Sequence, residues 1–99
     1  MFKLLLSWNI RPGREDECFE FLMRELGPGL MRLGVHPTDA WYTQYGSGPQ
    51  VLQGGVAEDL AALQRALASE EWRKIRQKLS AYVTDYQQKI VRASGEFQL

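Results

Sequence analysis

Ser69-Glu70-Glu71-Trp72-Arg73-Lys74-Ile75-Arg76-Gln77-Lys78-Leu79-Ser80-Ala81-Tyr82-Val83, with Asp85-Tyr86 behind it, decides what the rest of the chain has to supply. Trp72, Ile75, Leu79, Tyr82, Val83 and Tyr86 recur with the period of an α-helix and make one apolar stripe, while the basic residues and glutamines between them point elsewhere. Ser69 is placed to accept hydrogen bonds from the free amides of the first turn, and Glu70 and Glu71 sit where the positive end of the helix dipole favours carboxylates. The spacing predicts an amphipathic surface helix from Ser69 to about Asp85. A stripe carrying one Trp and two Tyr has to lie on something broad and apolar.

Strands further up the chain provide it. Phe2, Leu4, Leu6, Trp8 and Ile10 alternate with Lys3, Leu5, Ser7, Asn9 and Arg11, a period-two pattern whose second face is also partly apolar, as in a central strand. Pro12-Gly13 ends it, and a helix follows with Glu15, Asp16 and Glu17 in its first turn and Cys18, Phe19, Leu22, Met23 and Leu26 on its buried face. Gly27-Pro28-Gly29 is expected to break or kink that helix, and Gly34 to stop it. Ala40-Trp41-Tyr42-Thr43-Gln44-Tyr45 reads as a second strand and Gln50 to Ala57 as a third, joined through Gly46-Ser47-Gly48-Pro49 as a hairpin. Asp59 caps a short helix carrying Leu60, Leu63 and Leu67, and a last strand alternates from Gln87 to Ala93.

The resulting order, β-α-β-β-α-α-β, is a ferredoxin-like α+β arrangement: one domain over residues 1–99, a four-stranded antiparallel sheet with its helices on one face. The other face is then bare, and its apolar content predicts a homodimer in which two open sheet faces close on each other. Phe97 and Leu99 are expected to latch onto the partner.

Composition narrows the function classes. Ninety-nine residues hold a single core, and 44% apolar with 24% charged residues describes a globular chain. Twelve basic against twelve acidic residues leave no source for the counterion release that drives nucleic-acid binding, so neither nucleic acid nor an anionic membrane is an expected partner. Cys18 is the sole cysteine, which excludes an internal disulfide and a Cys-x-x-Cys metal or redox pair and suits a reducing, cytoplasmic setting. Leu4-Leu5-Leu6 is too short to span a membrane, and no export signal is visible. The acidic first helix and the basic last one are expected to attract each other.

Leu4-Leu5-Leu6-Ser7-Trp8-Asn9-Ile10-Arg11-Pro12-Gly13-Arg14 resembles the first strand and Pro-Gly-basic turn of the dimeric α/β-barrel superfamily, most of all its NIPSNAP-like and antibiotic-biosynthesis-monooxygenase-like branches. The Trp41-Tyr42 strand, the Val56-Ala57-Glu58-Asp59-Leu60 junction and Glu71-Trp72 continue the likeness along nearly the whole chain. The resemblance implies a dimeric α/β barrel with a small-molecule cleft between sheet and helices, in which Asn9 and Trp72 match a first-strand Asn and a last-helix Trp of the monooxygenases. Haem-degrading relatives carry a His farther along that helix; Tyr82 stands there instead, and no cofactor is expected. The activity implied is cofactor-independent monooxygenation or isomerisation of an apolar or aromatic molecule, the alternative being a non-catalytic binding or assembly module.

The candidate residues each carry two readings. Trp72 is a packing anchor or a stacking wall, and Tyr82 is a packing residue or a phenol at the end of that wall. Asn9 and Ser7 point to one side of the first strand, either to satisfy neighbouring backbone or to orient an oxygen-bearing ligand. His36 is the only histidine, the residue type most used as a general base, yet it precedes Pro37 in what reads as a loop. Gly54-Gly55 inside a strand calls for a bulge or a close approach, and with Trp41, Tyr42 and Gln44 beside it Gly55 marks either a ligand pocket or a twisted hairpin under aromatic cover. Asn9, Tyr82 and His36 are thus the catalytic candidates, and Ser7, Trp41, Tyr42, Gln44, Gly55 and Trp72 the ligand-binding ones. No metal quartet, Ser/His/Asp order or phosphate loop stands out.

Overall fold

Alternation along the first strand separates a dry side of the sheet from an open one. In a computed structural model, which describes residues 1–43 and 50–92, strand β1 (Phe2–Ile10) buries Leu4, Leu6, Trp8 and Ile10 and leaves Lys3, Leu5, Ser7 and Asn9 only half covered. The chain continues through α1 (Glu15–Phe21), a π-helical segment (Leu22–Leu26), α2 (Gly27–Arg32), β2 (His36–Tyr42), β3 (Val51–Ala57), α3 (Leu60–Leu67), α4 (Glu70–Leu79) and β4 (Val83–Arg92). The strands pair antiparallel in the order β2-β3-β1-β4, so β1 is central as its sequence predicts.

All the helices pack on the Leu4–Leu6–Trp8 side. Their inward residues, among them Cys18, Phe21, Leu26, Leu30, Leu63, Trp72, Ile75 and Leu79, join Val35, Val51 and Val83 in one core. Both expected caps form: Asp59 Oδ1 accepts from the Ala62 amide at 2.7 Å and Ser69 Oγ from the Trp72 amide at 3.1 Å. Helix pairing is electrostatic at the rim, where Arg32 Nη2 meets Glu71 at 2.6 Å and Lys78 meets Glu25 at 2.9 Å across α4. Such exposed pairs contribute about 0 to 1 kcal/mol each, so burial rather than charge holds the layers together.

Two expectations are corrected. Gly27-Pro28-Gly29 does not interrupt the first helix; a wide turn, closed by the Gly27 amide on the Leu22 carbonyl, carries the chain into α2 with Pro28 in the first turn, where a missing amide costs nothing. Gly29 then lets α2 approach α4, because a Cβ there would collide with Ile75 Cδ1. The second correction concerns the last helix, which ends at Leu79 rather than near Asp85. Val83 to Tyr86 belongs to β4, and a register shift opposite Ser7 to Asn9, with Asp85 at φ +57°, changes which side chains face inward. Tyr86 thereby comes to stack on Trp8, ring centroids 6.4 Å apart. The expected turn at Gly46 to Pro49, with Gln44 and Tyr45, and the Phe97 and Leu99 latch lie outside the described residues.

Candidate functional site

The candidate residues fall on two sides of the sheet. Register places Ser7 opposite Leu52 and Gln87, His36 opposite Val56, and Trp41 opposite Leu52, so Ser7, Asn9, His36 and Trp41 belong to the open face. Tyr42, Gly55, Trp72 and Tyr82 belong to the helix side: Tyr42 meets Phe19 of α1 edge-on at 5.4 Å, Tyr82 packs on Phe21 at 5.6 Å, and Trp72 is 1% exposed. Asn9 and Trp72 therefore have the sheet between them. His36 starts the β2 edge strand and Tyr82 precedes β4 at the opposite edge. Gln44 lies outside the described residues.

Asn9 extends the β1–β3 ladder by one rung. Backbone pairing stops at Trp8 and Val51, and beyond it the Gln50 amide donates to Asn9 Oδ1 at 2.9 Å while the Ile10 amide donates to Gln50 Oε1 at 2.8 Å. Each side chain thus takes the place of the other strand's backbone carbonyl. Asn9 Nδ2 then donates to Asp85 Oδ2 at 3.1 Å, and Thr84 Oγ1 reaches the same oxygen at 3.2 Å. This fixes the bulge of β4 against β1.

Close approach explains Gly54 and Gly55, although not by Trp41. A Cβ at Gly55 would lie 2.9 Å from Val35 Cγ1, and one at Gly54 would lie 2.8 Å from Thr38 Oγ1 and 3.1 Å from Lys3 Cε. Gly54 lies beside the register shift of β2 between Pro37 and Ala40, and Gly55 beside the start of β2 at Val35 and His36.

The space between sheet and helices is filled by Trp8, Trp72 and their aliphatic neighbours, and the opening lies at its margin. Between the end of α4 and the start of β4 is a cavity of about 350 Å³, walled by Leu79, Val83 and Tyr86 and rimmed by Arg11, Arg76 and Asp85. A groove of about 440 Å³ adjoins it along α4, shares Arg76 and Ser80, and has Trp72 in its wall. Asn9 reaches the cavity through Asp85, and Trp72 reaches its continuation. Arg76 stacks over the Tyr86 ring at 4.5 Å. Burial pushes the Tyr86 phenol up to about 12, against a smaller downward pull from Arg76. Arg11 Nη2 donates to the Ser80 carbonyl at 3.3 Å, a cation at the negative end of α4.

Periodicity does not single out Arg11 or Arg76, and it hides Asp85 and Tyr86 by extending the α4 stripe over them. The β-branched pair Val83-Thr84, three residues after Ser80, is the available signal for a strand. Elsewhere, Cys18 is buried and its thiol pKa is raised by that burial, with the Trp8 indole opposing weakly. That contact does not reach hydrogen-bond geometry, so Trp8 Nε1, like Trp72 Nε1, is buried without a partner among the described residues. No group of three or more His, Cys, Asp or Glu converges among the described residues, and no helix there is long and apolar enough to cross a membrane.

No family model and no curated protein matches the chain. Solved structures do. A NIPSNAP family protein from Agrobacterium tumefaciens is 17% identical, with a TM-score of 0.75 over 99% of this chain and 97% of that one. SnoaB, a cofactor-independent oxygenase from Streptomyces nogalater, is 18% identical with a TM-score of 0.75, covering 93% of this chain and 91% of its own. HapK from Hahella chejuensis is 11% identical with a TM-score of 0.79 over 96% and 94%. At such identities the likeness speaks for the backbone, and it bears out the resemblance read from the first strand: the chain has the ferredoxin-like α+β fold shared by NIPSNAP proteins and antibiotic-biosynthesis-monooxygenase-like proteins.

Proposed function

We propose that the protein is a homodimer, closed through its open sheet faces, that binds a small, flat, largely apolar ligand at the opening between α4 and β4. The observation that carries the ligand reading is the cavity of about 350 Å³ with aromatic and aliphatic walls and a charged rim. Sites for small molecules are commonly built this way, with apolar walls for area and a few polar groups for orientation. The dimer rests on the open face, where Trp41 is 64% and Leu52 38% exposed and Leu5, Val56 and Val91 are half-buried. A partner sheet would remove that surface from water at about 25 cal/mol per Å² of apolar area.

A second reading, cofactor-independent oxidation or isomerisation of the bound molecule, is favoured by the likeness to SnoaB. Asn9, His36 and Tyr82 are its candidate polar groups; Asn9 meets the opening through its side chain on Asp85, and Tyr82 only through its backbone, bonded to Arg11 and Leu79. The filled interior and the backbone-directed hydrogen bonds of Asn9 weigh toward binding without turnover.

Native mass spectrometry of the purified protein tests the assembly and the ligand together: a dimer mass with a copurifying small molecule is expected. Leu52→Asp places two carboxylates in the closed interface and should yield a folded monomer by light scattering. A wild-type monomer, or a Leu52→Asp dimer as tight as wild type, refutes closure through this face.

A further inference from the structure

Two guanidinium groups, Arg11 and Arg76, border the opening against a single carboxylate, Asp85. Although Arg14, Arg24, Arg32 and Lys78 make ion pairs, among the described residues neither Arg11 nor Arg76 does. Their structural duties leave donors to spare. A guanidinium has five N–H groups; Arg11 commits Nη2 to the Ser80 carbonyl, and Arg76 lies over the Tyr86 ring, a contact made through its face that consumes no N–H. The one acidic group on the rim, Asp85, is held by Asn9 Nδ2 and Thr84 Oγ1 on a single oxygen, and leaves the rim with two positive charges against one negative. Beneath the cations the wall is apolar, made of Leu79, Val83 and the Tyr86 ring, which is held by its contacts with Trp8 and Arg76.

We infer that the ligand of this opening is a small aromatic carboxylic acid, its ring against Leu79, Val83 and the edge of Tyr86 and its carboxylate taken by Arg11 and Arg76. The inference rests on the ligand reading above and adds the charge. Guanidinium–carboxylate hydrogen bonds are the strongest polar contacts available to such a rim, and their planar fork selects a carboxylate over a neutral ester or phenol of the same shape.

The test uses 2-naphthoate and its neutral methyl ester as probes, titrated calorimetrically into the full chain, with methyl NMR shifts of Leu79 and Val83 to locate binding. The acid should bind more tightly than the ester by about tenfold or more, the effect of losing a charge-assisted hydrogen bond. Arg76→Gln and Arg11→Gln should each weaken the acid by about that factor and leave the ester unchanged, whereas Arg24→Gln, on the π-helical segment, should alter neither. Thermal unfolding accompanies each variant, and if Arg11→Gln does not fold, the Arg76→Gln comparison decides. Equal affinity for acid and ester at shifted Leu79 and Val83 methyls overturns the carboxylate inference and leaves the ligand reading standing. Methyl signals that move with neither probe overturn both.

Discussion

Replacing Asn9 with alanine separates a structural side chain from a ligand-orienting one. Two hydrogen bonds disappear: the Gln50 amide loses its acceptor at 2.9 Å and Asp85 Oδ2 loses its donor at 3.1 Å. The first is part-buried and leaves a backbone N–H at the end of the β1–β3 ladder, whereas the second is exposed and replaceable by water. With a typical net value of about 0.5 to 1.5 kcal/mol for the first bond and less for the second, the variant should be destabilised by about 1 to 2 kcal/mol. Urea denaturation at fixed protein concentration is the assay, since any dimer would make the midpoint depend on concentration. The midpoint should fall with an unchanged slope, and the melting temperature should drop by roughly 4 to 8 °C per kcal/mol. A Gln50→Ala companion should couple to it, because the two side chains serve the same rung. Unchanged stability, together with loss of a bound ligand, would refute the ladder argument and return Asn9 to the ligand-orienting role.

Gly55→Ala should cost about 1 to 3 kcal/mol by the same measurement, because its Cβ would sit 2.9 Å from Val35 Cγ1 in a fully buried, β-branched side chain that has nowhere to turn. Val35→Ala in the same chain should recover part of that loss, and Gly54→Ala should cost less, since exposed Thr38 and the far end of Lys3 can move aside; equal costs at the two glycines would show the clash argument to be mistaken. Tyr86 makes an alkaline prediction. Its pKa is raised from 10.0 to about 12 in the folded protein, so the neutral phenol stabilises the fold fully below pH 10, and that contribution is lost as pH rises toward 12. Stability of the wild type should therefore fall more steeply than that of Tyr86→Phe between those pH values, and parallel curves would contradict the burial of the phenol.

The fold was legible because most of its cues are local. Alternation from Phe2 to Ile10, a serine or aspartate before each of the last two helices, and apolar residues at helical spacing from Trp72 to Leu79 act over a few residues and were realised as read. The Gly27-Pro28-Gly29 segment misled because its cost as a helix breaker depends on where the turns fall: a widened turn before it puts Pro28 at a helix start, and the close approach of Ile75 supplies the reason for Gly29. That contact joins α2 to a helix more than forty residues later in the chain, and no local pattern encodes it.

The site was less legible for a single geometric reason. A bulge inserts one residue into a strand, so inward side chains that should be two apart become three apart, and Val83 and Tyr86 then show the spacing of adjacent turns on a helix face. The stripe that begins as a true helix face at Trp72, Ile75 and Leu79 consequently runs on without a visible break into a strand. Asp85, at positive φ, is the residue that absorbs the irregularity, and aspartate tolerates that conformation better than most side chains. The same irregularity brings Tyr86 inward against Trp8 and beneath Arg76, and places Asp85 on the rim within reach of Asn9. A regular β4 would alternate through this segment and turn either Val83 or Tyr86 to the open face, and the opening would lose part of its wall. The feature that hid the site from a reading of periodicity is therefore also the feature that builds it.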